Sequence, residues 1–439
     1  MTSSFDEGRY DSARLAQWEA GQARGDGISR RTALRLSAGL GLAAVPVLGG
    51  VPASAAPARG EASAAPARGE GPAVAAGPIV KPLPPELFTV FGTNAETRWE
   101  ALRDVGHLVP IDRFFVRNHT GTPLIDGDTW RLELFGAGLR GSPTADNPVT
   151  VSLKQLRRLP STTLTAFIEC AGNGRSFFTT QQGQPVSGTA WKLGAVGVAT
   201  WRGVRLSTVL RLAGLRPDAV DVLPSGLDAN FVSGGVDLGP VRRPIPIRKA
   251  LHDVVLAYEM NGEPLPPDHG FPVRVVVPSW IGISSIKWVG RIEVSAEPLF
   301  TPWNTQFYRF FGPDHPAEGS APLTRQVVKS AFELAPDAQL PVGTTTLLTG
   351  RAWSGNGGIR RVDVSTDGGA SWRRADLFGP AVDTGWRRWR LTWRPATPGG
   401  HTLLARATDA TGATQPDVAP YNTLGYQFGA VVRHPVTVA

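Results

Sequence analysis

The chain is poor in the residues that build disulfide frameworks and cysteine-rich metal sites. It has one cysteine, Cys170, and two methionines among 439 residues. A single cysteine excludes an intrachain disulfide, and it also excludes the paired cysteines of a covalent haem-attachment motif. Stability must therefore come from the packing of a hydrophobic core, for which the chain is long enough.

Other absences narrow the function further. No glycine-rich phosphate loop or dinucleotide fingerprint occurs, which disfavours a nucleotide cofactor. The formal net charge is +8, but no basic block is interleaved with aromatic residues. Dispersed arginines suit a small anionic substrate or an acidic partner better than a nucleic acid. The most continuous apolar stretch, 36–51, is short and contains Gly39, Gly41 and Pro46, so we expect no permanent membrane span.

The first 55 residues follow the order of a twin-arginine export signal. Arg30 and Arg31 precede the mild Gly/Ala/Leu stretch 36–51, and Ala53-Ser-Ala55 supplies small residues for cleavage. The alternatives are a basic amphipathic helix and an uncleaved membrane anchor. We expect export of the folded protein to the periplasm or another extracytoplasmic location.

A Pro/Ala/Gly-rich segment follows. Residues 53–61 are repeated at once as residues 62–70. Such a tract buries little apolar surface, which predicts a disordered linker over 56–82, with order beginning near Pro82.

Residues 83–315 combine short helices with irregular strands, which indicates an α+β domain. Arg131–Phe135 alternates apolar and polar residues as a half-buried strand does, and a helix is predicted to begin after Ser152. A second helix is predicted from Leu206, with Ser207 as its N-cap and Gly214 as its stop.

Residues 316–439 are predicted to be all-β. Short runs rich in β-branched and aromatic residues occur at even spacing, and Asp367-Gly-Gly is a hairpin signal between two of them. This pattern predicts an immunoglobulin-like sandwich.

Cys170 lies where a predicted buried strand ends and a tight turn begins. The apolar run Leu164–Ile168 leads into it, and Ala171–Gly174 contains two glycines and an asparagine, which adopt positive φ readily. Arg175 follows five residues later, and a nearby guanidinium favours the thiolate, the form that binds metals and attacks electrophiles. The alternative is a small buried apolar side chain.

The run Glu169-Cys-Ala-Gly-Asn-Gly-Arg-Ser176 resembles the molybdenum-ligand loop of the sulfite oxidase family. Other segments match that family in the same order, from about residue 85 to the C-terminus: Phe114–His119, Gly226–Asp228, Ala257–Gly262, Pro267–Arg274 and Ile286–Trp288. The resemblance implies a molybdenum–molybdopterin cofactor whose metal is bound by the Cys170 sulfur. It also implies a domain with the sulfite oxidase fold and a C-terminal domain that builds a homodimer.

The resemblance implies a larger set of cofactor contacts: Phe115, Val116, Arg117, Asn118, His119, Asp228, His269, Arg274, Ser285, Ile286 and Lys287. It implies a substrate pocket formed by four side chains: Arg117, Arg175, Tyr308 and Trp191. Arg242 and Arg243 are further candidate partners of the cofactor phosphate. A buried phosphate requires several cationic or N–H donors to offset its lost hydration.

The residues alone leave alternatives open. Arg117 and His119 lie two apart on a predicted strand and therefore share a face, which could hold an anion or could be solvated. His269, Arg274 and Lys287 could each be a surface group, and aromatic residues such as Tyr308 and Trp191 could simply pack in the core.

Some positions depart from the family pattern. Gly174 replaces the first of two arginines that often follow the cysteine loop, and Ser285 stands where the family often has histidine. Near the C-terminus, Tyr421-Asn-Thr-Leu-Gly425 places Gly425 where the family supplies a third substrate arginine. A sulfite dianion would then meet two arginines, and loss of one charge-assisted hydrogen bond weakens binding by roughly one to two decades.

We therefore expect an exported molybdenum oxidoreductase that converts sulfite to sulfate. We expect no haem in this chain, so that electrons pass to an external acceptor such as a c-type cytochrome. Gly425 leaves open a molybdenum-dependent reductase of nitrate or a sulfoxide. A non-catalytic exported binding protein that uses the β-sandwich is the remaining alternative.

Overall fold

The computed structural model describes residues 16–17 and 78–439. The predicted export signal and most of the predicted linker lie outside the described residues. Ile79 is buried, and the backbone N–H groups of Val80 and Lys81 donate to the Asp268 carboxylate at 2.7–3.1 Å. The backbone is therefore bound by a distant carboxylate a few residues before Pro82, inside the segment predicted as linker.

The N-terminal half contains strands and short helices. Its strands are β1 (Phe88–Phe91), β2 (Asn94–Thr97), β3 (Val116–Arg117), β4 (Arg131–Phe135), β5 (Val149–Ser152), β6 (Ser161–Glu169), β7 (Val196–Arg205), β8 (Asp221–Gly226), β9 (Val232–Ser233), β10 (Val236–Asp237), β11 (Ile245–Pro246), β12 (Val255–Met260), β13 (Glu263–Pro264), β14 (Arg274–Val276) and β15 (Val289–Ser295). Its α-helices are α1 (Leu153–Arg157), α2 (Ser176–Thr180), α3 (Leu206–Leu212), α4 (Ile247–His252) and α5 (Pro302–Thr305). Single 3₁₀ turns lie at Trp99–Leu102, Ile111–Arg113, Pro267–His269 and Gly282–Ser284.

Two five-stranded sheets form the framework of this half. One has the order β13-β12-β7-β6, with β14 added on β12, and the other has the order β11-β8-β15-β4-β5. β6 and β7 are antiparallel from the Ser161–Val204 pair to the Glu169–Val196 pair. This long ladder ends immediately before Cys170, so the cysteine position is fixed by a buried sheet.

The helix predictions succeed where the signal is local. Ser152 caps α1, and its side chain accepts the Gln155 N–H while the Gln155 side chain binds the Ser152 N–H, which forms a capping box. Helix α3 exists, but Ser207 lies inside it and makes no cap. The Leu206 N–H instead donates to the Val254 carbonyl at 2.9 Å, so a tertiary contact fixes where this helix begins.

The C-terminal half is β-rich in the described residues. Its strands are β16 (Lys329–Phe332), β17 (Ala338–Leu340), β18 (Thr346–Trp353), β19 (Ile359–Ser365), β20 (Arg373–Arg374), β21 (Asp376–Phe378), β22 (Trp386–Trp393), β23 (Gly399–Asp409) and β24 (His434–Val438). They form one sheet of order β16-β18-β22-β21 and another of order β17-β24-β23-β19-β20. Buried residues of both sheets, such as Trp389 and Leu403, share one core. Assignment to the immunoglobulin-like topology stays a prediction.

The two halves share a hydrophobic cluster. Trp353 and Trp386, from β18 and β22, belong to the same buried cluster as Trp99, Phe167 and Cys170. The boundary predicted at 315/316 stays a prediction, since the core is continuous across it. Within the described residues, no helix combines the length and the apolar character that crossing a bilayer requires.

Candidate active site

The cysteine loop is held by its own backbone and by the neighbouring segment. The Cys170 N–H donates to Ala195 O at 2.9 Å, and the Asn173 N–H donates to Cys170 O at 2.9 Å. Gly174 adopts φ of +92°, which L side chains rarely tolerate. The predicted strand, turn and cysteine position are confirmed, and Cys170 retains 8% exposure.

Cys170 opens into a cavity that encloses about 710 Å³ of empty space, its open mouth included. The cavity brings together most residues that the sequence pattern singled out: Phe115, Arg117, Asn118, His119, Cys170, Asp228, His269, Arg274, Ser285, Ile286, Lys287 and Tyr308. These residues come from segments far apart in the chain, so their convergence is a property of the fold.

Arg117, Cys170 and Tyr308 meet at one part of the cavity. The Arg117 guanidinium and the Cys170 side chain line the same cavity and interact electrostatically, and the Nη1 atom of Arg117 is buried without a protein partner. Burial lowers the pKa of Arg117, but attraction to Tyr308 and Cys170 outweighs that effect and leaves the pKa raised. Burial raises the pKa of Tyr308 above its ordinary value. The site therefore offers a fixed guanidinium cation and a neutral phenol beside a sulfur atom.

His119 is a neutral imidazole in this site. Its Nε2 atom accepts the Trp303 Nε1–H at 3.2 Å, which places the proton of the neutral ring on Nδ1. Burial, followed by the charges of Arg117 and Lys287, lowers the pKa of His119 well below its ordinary value. The imidazole therefore adds hydrogen-bonding capacity without adding charge.

Buried cations line another part of the cavity. The Lys287 ammonium donates to Asp268 O at 2.8 Å and to Asn118 Oδ1, and burial lowers its pKa well below the ordinary value. Arg274 donates to the carbonyls of His269 and Ser285 at 3.1 and 3.0 Å. Burial lowers the pKa of Arg274 to about 9. An anionic ligand here would offset the cost of burying these charges.

Polar atoms without protein partners point to a ligand rich in hydrogen-bonding groups. His269 Nε2 and Asp228 Oδ1 are both buried without a partner and both residues line the cavity. Burial lowers the pKa of His269 well below its ordinary value and raises the pKa of Asp228 to about 6. Unpaired buried groups of this kind are costly unless something else satisfies them.

Asp268 is a site residue that the sequence reasoning did not single out. It lines the cavity, and its carboxylate accepts the N–H groups of Val80 and Lys81 and the Thr122 hydroxyl. Its main-chain oxygen also accepts from Lys287. The residue stands within the quoted Pro267–Arg274 segment, but no local pattern reveals a partner almost 190 residues away.

Two predicted site residues face the core. Val116 is fully buried with Ile79, Phe88 and Ala95, because alternation along a strand turns it away from the face that carries Arg117. Trp191 does not line the described cavity. Its ring is 1% exposed and packs edge-to-face on Phe91 at 5.5 Å between centroids, so the expectation that it lines the substrate pocket is corrected here.

Arg175 also lies outside the cavity lining. Its Nε and Nη1 atoms donate to the carbonyls of Leu424 and Thr189 at 2.8 and 2.9 Å. The guanidinium lies 5.4 Å from the ring centre of Tyr426, and that ring stacks on Tyr308 at 5.1 Å. Arg175 therefore contacts the site through an aromatic pair, and backbone carbonyls accept hydrogen bonds from its Nε and Nη1 atoms.

Arg242 and Arg243 donate hydrogen bonds to backbone carbonyls in this structure. Arg242 donates to the carbonyls of Leu238 and Pro240 at 3.0 and 3.1 Å. Arg243 donates to Trp303 O and, at 2.6 Å, to Leu323 O. Neither belongs to the lining of the described cavity, so their suggested contact with a phosphate is not supported by position.

The residues present fit the molybdopterin group that the resemblance implies. The cavity supplies buried cations for a phosphate, unpaired polar atoms for heterocycle edges, and one sulfur donor. In the described part of the chain, no three His, Cys, Asp or Glu side chains converge as a metal site. A metal at Cys170 would therefore take most of its ligands from the cofactor itself.

Comparison with known proteins agrees with this geometry. Residues 119–303 match the oxidoreductase molybdopterin binding domain family, and residues 327–438 match the Mo-co oxidoreductase dimerisation domain family. Mitochondrial sulfite oxidase of Rattus norvegicus is 37% identical over 363 residues, a match that covers 79% of this chain and 64% of that protein. Sulfite oxidase of Gallus gallus is 38% identical over 347 residues, covering 74% of this chain and 72% of the relative.

A solved structure shows the same architecture. The sulfane dehydrogenase SoxCD of Paracoccus pantotrophus superposes with a TM-score of 0.66 at 29% identity, covering 80% of this chain and 85% of that chain. The families matched are enzyme families, which answers the alternative of a non-catalytic binding protein. The chain belongs to the sulfite oxidase family of molybdopterin-dependent oxidoreductases.

Proposed function

We propose that this chain oxidises sulfite to sulfate at a molybdenum centre whose protein ligand is Cys170. The observation that carries the proposal is the placement of the Cys170 sulfur beside Arg117 and Tyr308, in a cavity whose other part holds Lys287 and Arg274. One part of the cavity thus suits a small oxyanion and the other a cofactor phosphate. Because the chain spans 64% of its mitochondrial relative, the substrate is a proposal for this chain.

One set of residues of this chain would bind the cofactor, and another would orient the substrate. Lys287 and Arg274 would bind the phosphate, and Asp228, His269 and Asn118 would hydrogen-bond the heterocycle. When bound, molybdenum–molybdopterin supplies two-electron redox chemistry coupled to oxygen-atom transfer.

The substrate side would rely on fixed charge rather than on proton transfer. Arg117 would orient the substrate oxyanion and stabilise its charge, since its Nη1 atom has no protein partner. Tyr308 would donate its hydroxyl hydrogen, because burial keeps the phenol protonated by raising its pKa. Tyr308 is buried and Arg117 is half-buried, which limits the access of water and strengthens these interactions.

A second candidate is suggested by the environment of Arg175. Carbonyl oxygens accept from its Nε and Nη1 atoms, Arg175 lies outside the cavity lining, and Gly425 supplies no guanidinium, so the cavity presents fewer cations than a dianion would use. A singly charged or neutral substrate, such as nitrate or a sulfoxide, would then be reduced. The relative SoxCD is named a sulfane dehydrogenase, which adds sulfane sulfur as a substrate class to assay.

The Cys170→Ser substitution tests the assignment of the centre. We expect purified wild-type protein to contain close to one molybdenum per chain and the variant to lose sulfite-dependent reduction of an electron acceptor. Serine is nearly isosteric with cysteine, so the variant should fold as the wild type does. Equal thermal unfolding temperatures of the two proteins are the control. Equal molybdenum content and equal activity in the two proteins would refute the role of Cys170.

The substrate is tested by assays in both directions on the same preparation. Sulfite, and thiosulfate as a sulfane-containing anion, are offered with an oxidised cytochrome c. Nitrate and dimethyl sulfoxide are offered with a reduced dye. We expect sulfite alone to give efficient turnover, and turnover with nitrate or the sulfoxide in its place would establish the second candidate.

We further propose a homodimer, an external c-type cytochrome as electron acceptor and export through the twin-arginine route. Support comes from the dimerisation family matched by residues 327–438 and from the paired Arg30 and Arg31. Light scattering measures the dimer directly.

Replacing both arginines with lysine should retain the protein in the cytoplasm if the export proposal is right, and unchanged fractionation would refute it.

A further inference from the structure

A buried ion pair from the C-terminal half contacts the cysteine loop. Lys329, on β16, has a side chain that is 1% exposed, and its Nζ lies 2.7 Å from Oε1 of the fully buried Glu169. Glu169 precedes Cys170 in the chain. The same ammonium donates to Asn173 O at 2.9 Å, so one lysine contacts the loop on both sides of the cysteine.

Other side chains of the C-terminal half also hydrogen-bond Glu169. Trp353 Nε1 donates to Glu169 Oε2 at 2.9 Å, and Gln326 Nε2 donates to Glu169 O at 2.8 Å. Within the loop, Asn173 Nδ2 donates to Glu169 Oε1 at 2.9 Å. Both carboxylate oxygens and the main-chain oxygen of Glu169 are therefore bound by donors in fixed positions.

A buried ion pair contributes little net stability compared with apolar packing of the same volume, because desolvation offsets the attraction. Such a network instead fixes the positions of the groups that it joins, because each partner makes hydrogen bonds in defined directions. Gln326 binds the carbonyl of the peptide unit that leads into Cys170, and Lys329 binds the Asn173 carbonyl three residues after it. The backbone on both sides of Cys170 is therefore held by side chains of the C-terminal half.

We propose that Lys329 is a positioning residue for the Cys170 sulfur, acting through the Glu169 carboxylate and the Asn173 carbonyl. The proposal rests on the proposed function only where it takes Cys170 as the metal ligand. It assigns to the C-terminal half a role in the metal centre beyond subunit association.

The test compares Lys329→Met with a matched control elsewhere between the two halves. Methionine roughly conserves the side-chain volume and removes the charge. The control replaces Arg351, which is fully buried, binds Glu333 Oε1 at 2.5 Å, and donates to the carbonyls of Leu102 and Val105 at 2.9 Å. Arg351→Met therefore breaks an equally buried pair within the C-terminal half and removes two hydrogen bonds from that half to the N-terminal half, at residues outside the cysteine loop.

Two measurements are made on each full-length protein. In holoenzyme normalised for molybdenum, the visible sulfur-to-metal absorption and the molybdenum paramagnetic spectrum report the geometry around the sulfur. In cofactor-free protein from a host that cannot make molybdopterin, the rate of iodoacetamide alkylation reports the mobility of Cys170, the sole thiol of the chain.

We expect Lys329→Met to shift both spectra and to raise the alkylation rate about tenfold or more, as the loss of charged hydrogen bonds to a loop implies. Arg351→Met should lower the unfolding temperature comparably while leaving the spectra and the alkylation rate near wild type. Lys329→Arg should restore both readouts in part, because it keeps a cation at the site.

A Lys329→Met protein that behaves like the Arg351→Met control overturns the proposal. If the single variant does not fold, the double variant Lys329→Met/Glu169→Gln removes both charges and is measured instead, with the same expectations. The proposed function fails separately, through a wild-type protein without molybdenum. In that event the alkylation rate still decides whether Lys329 fixes the loop.

Discussion

Gly425 lies directly against the side chain of Arg175. A Cβ atom built on Gly425 would come within 2.7 Å of Arg175 Cγ and within 3.1 Å of the Val186 side chain. Gly425 also has φ of +58°. A side chain at the position where relatives are expected to carry an arginine would therefore displace Arg175, and the substrate site depends on Arg117 for its fixed cation.

Gly425→Ala should destabilise the protein and displace Arg175. The backbone conformation alone costs about 1 kcal/mol, and the contact adds to it, so we expect a lower unfolding temperature and a changed KM for sulfite. Gly183→Ala is the control, because Gly183 has φ of +70° with open space around its missing Cβ. Equal effects of the two substitutions would show that the contact with Arg175 has no consequence.

Arg117→Lys should raise the KM for sulfite by roughly ten- to a hundredfold while molybdenum content stays close to wild type. Lysine keeps the positive charge but loses the planar fork that binds an oxyanion through two donors. Steady-state rates are measured per molybdenum. Arg131→Lys, at an exposed position whose guanidinium binds only local carbonyls, should leave KM unchanged, and an unchanged KM in Arg117→Lys would remove this arginine from the substrate site.

Lys287→Met should flatten the pH dependence of stability in cofactor-free protein. The pKa of Lys287 is lowered by burial, so the unfolded chain binds more protons than the folded one. Stability therefore rises with pH between the folded pKa and the ordinary value of 10.5. Denaturant midpoints across that range measure the slope, and wild-type protein without a rise would contradict the prediction.

Lys249→Met provides the comparison for that experiment. Lys249 is 5% exposed, but its ammonium is paired with Asp253 at 2.9 Å. Its removal should lower stability through loss of that ion pair. Only Lys287→Met should also weaken cofactor retention, which is measured as molybdenum remaining after gel filtration.

Glu96→Gln should remove a loss of stability that wild-type protein shows between about pH 4.5 and pH 7. Burial raises the pKa of Glu96 from 4.5 to about 7, so the folded state holds a proton that the unfolded state releases. The carboxyl stabilises the fold below pH 4.5, and that contribution is lost as pH rises through 7, at a cost of about 3 kcal/mol. Glutamine keeps the oxygen that accepts the Lys192 N–H at 2.8 Å.

The measurement for Glu96 is the free energy of unfolding at pH 5 and at pH 8. The variant should match wild type at pH 5 and exceed it at pH 8. Glu86→Gln, at an exposed position, should change neither value. A variant that is less stable than wild type at both pH values would show that the carboxylate is needed in its ionised form.

What the sequence could predict was set by local patterns. The strand before Cys170, the turn through Gly174 and the cap at Ser152 each depend on residues within a few positions. The matched segments also predicted most of the cavity lining, because each carries an unusual run of residue types. Features that depend on one short segment could therefore be located from the sequence.

What the sequence could not predict depends on contacts between distant segments. The direction of Arg175 is fixed by Leu424 O, and the start of helix α3 by the Val254 carbonyl. Asp268 binds the backbone of Val80 and Lys81, and Lys329 binds Glu169 across 160 positions. Each of these relationships appears only when the two segments are placed side by side.

The basic lining of the cavity leads us to expect that cofactor insertion is coupled to proton uptake. Lys287, Arg274 and His269 have pKa values that burial lowers in the empty protein, and a bound phosphate pulls such values back up. Protons are then drawn from the medium whenever the pH lies between the empty and filled values. The heat of loading would vary with the ionisation enthalpy of the buffer, and mild acidification would tighten the hold on the pterin.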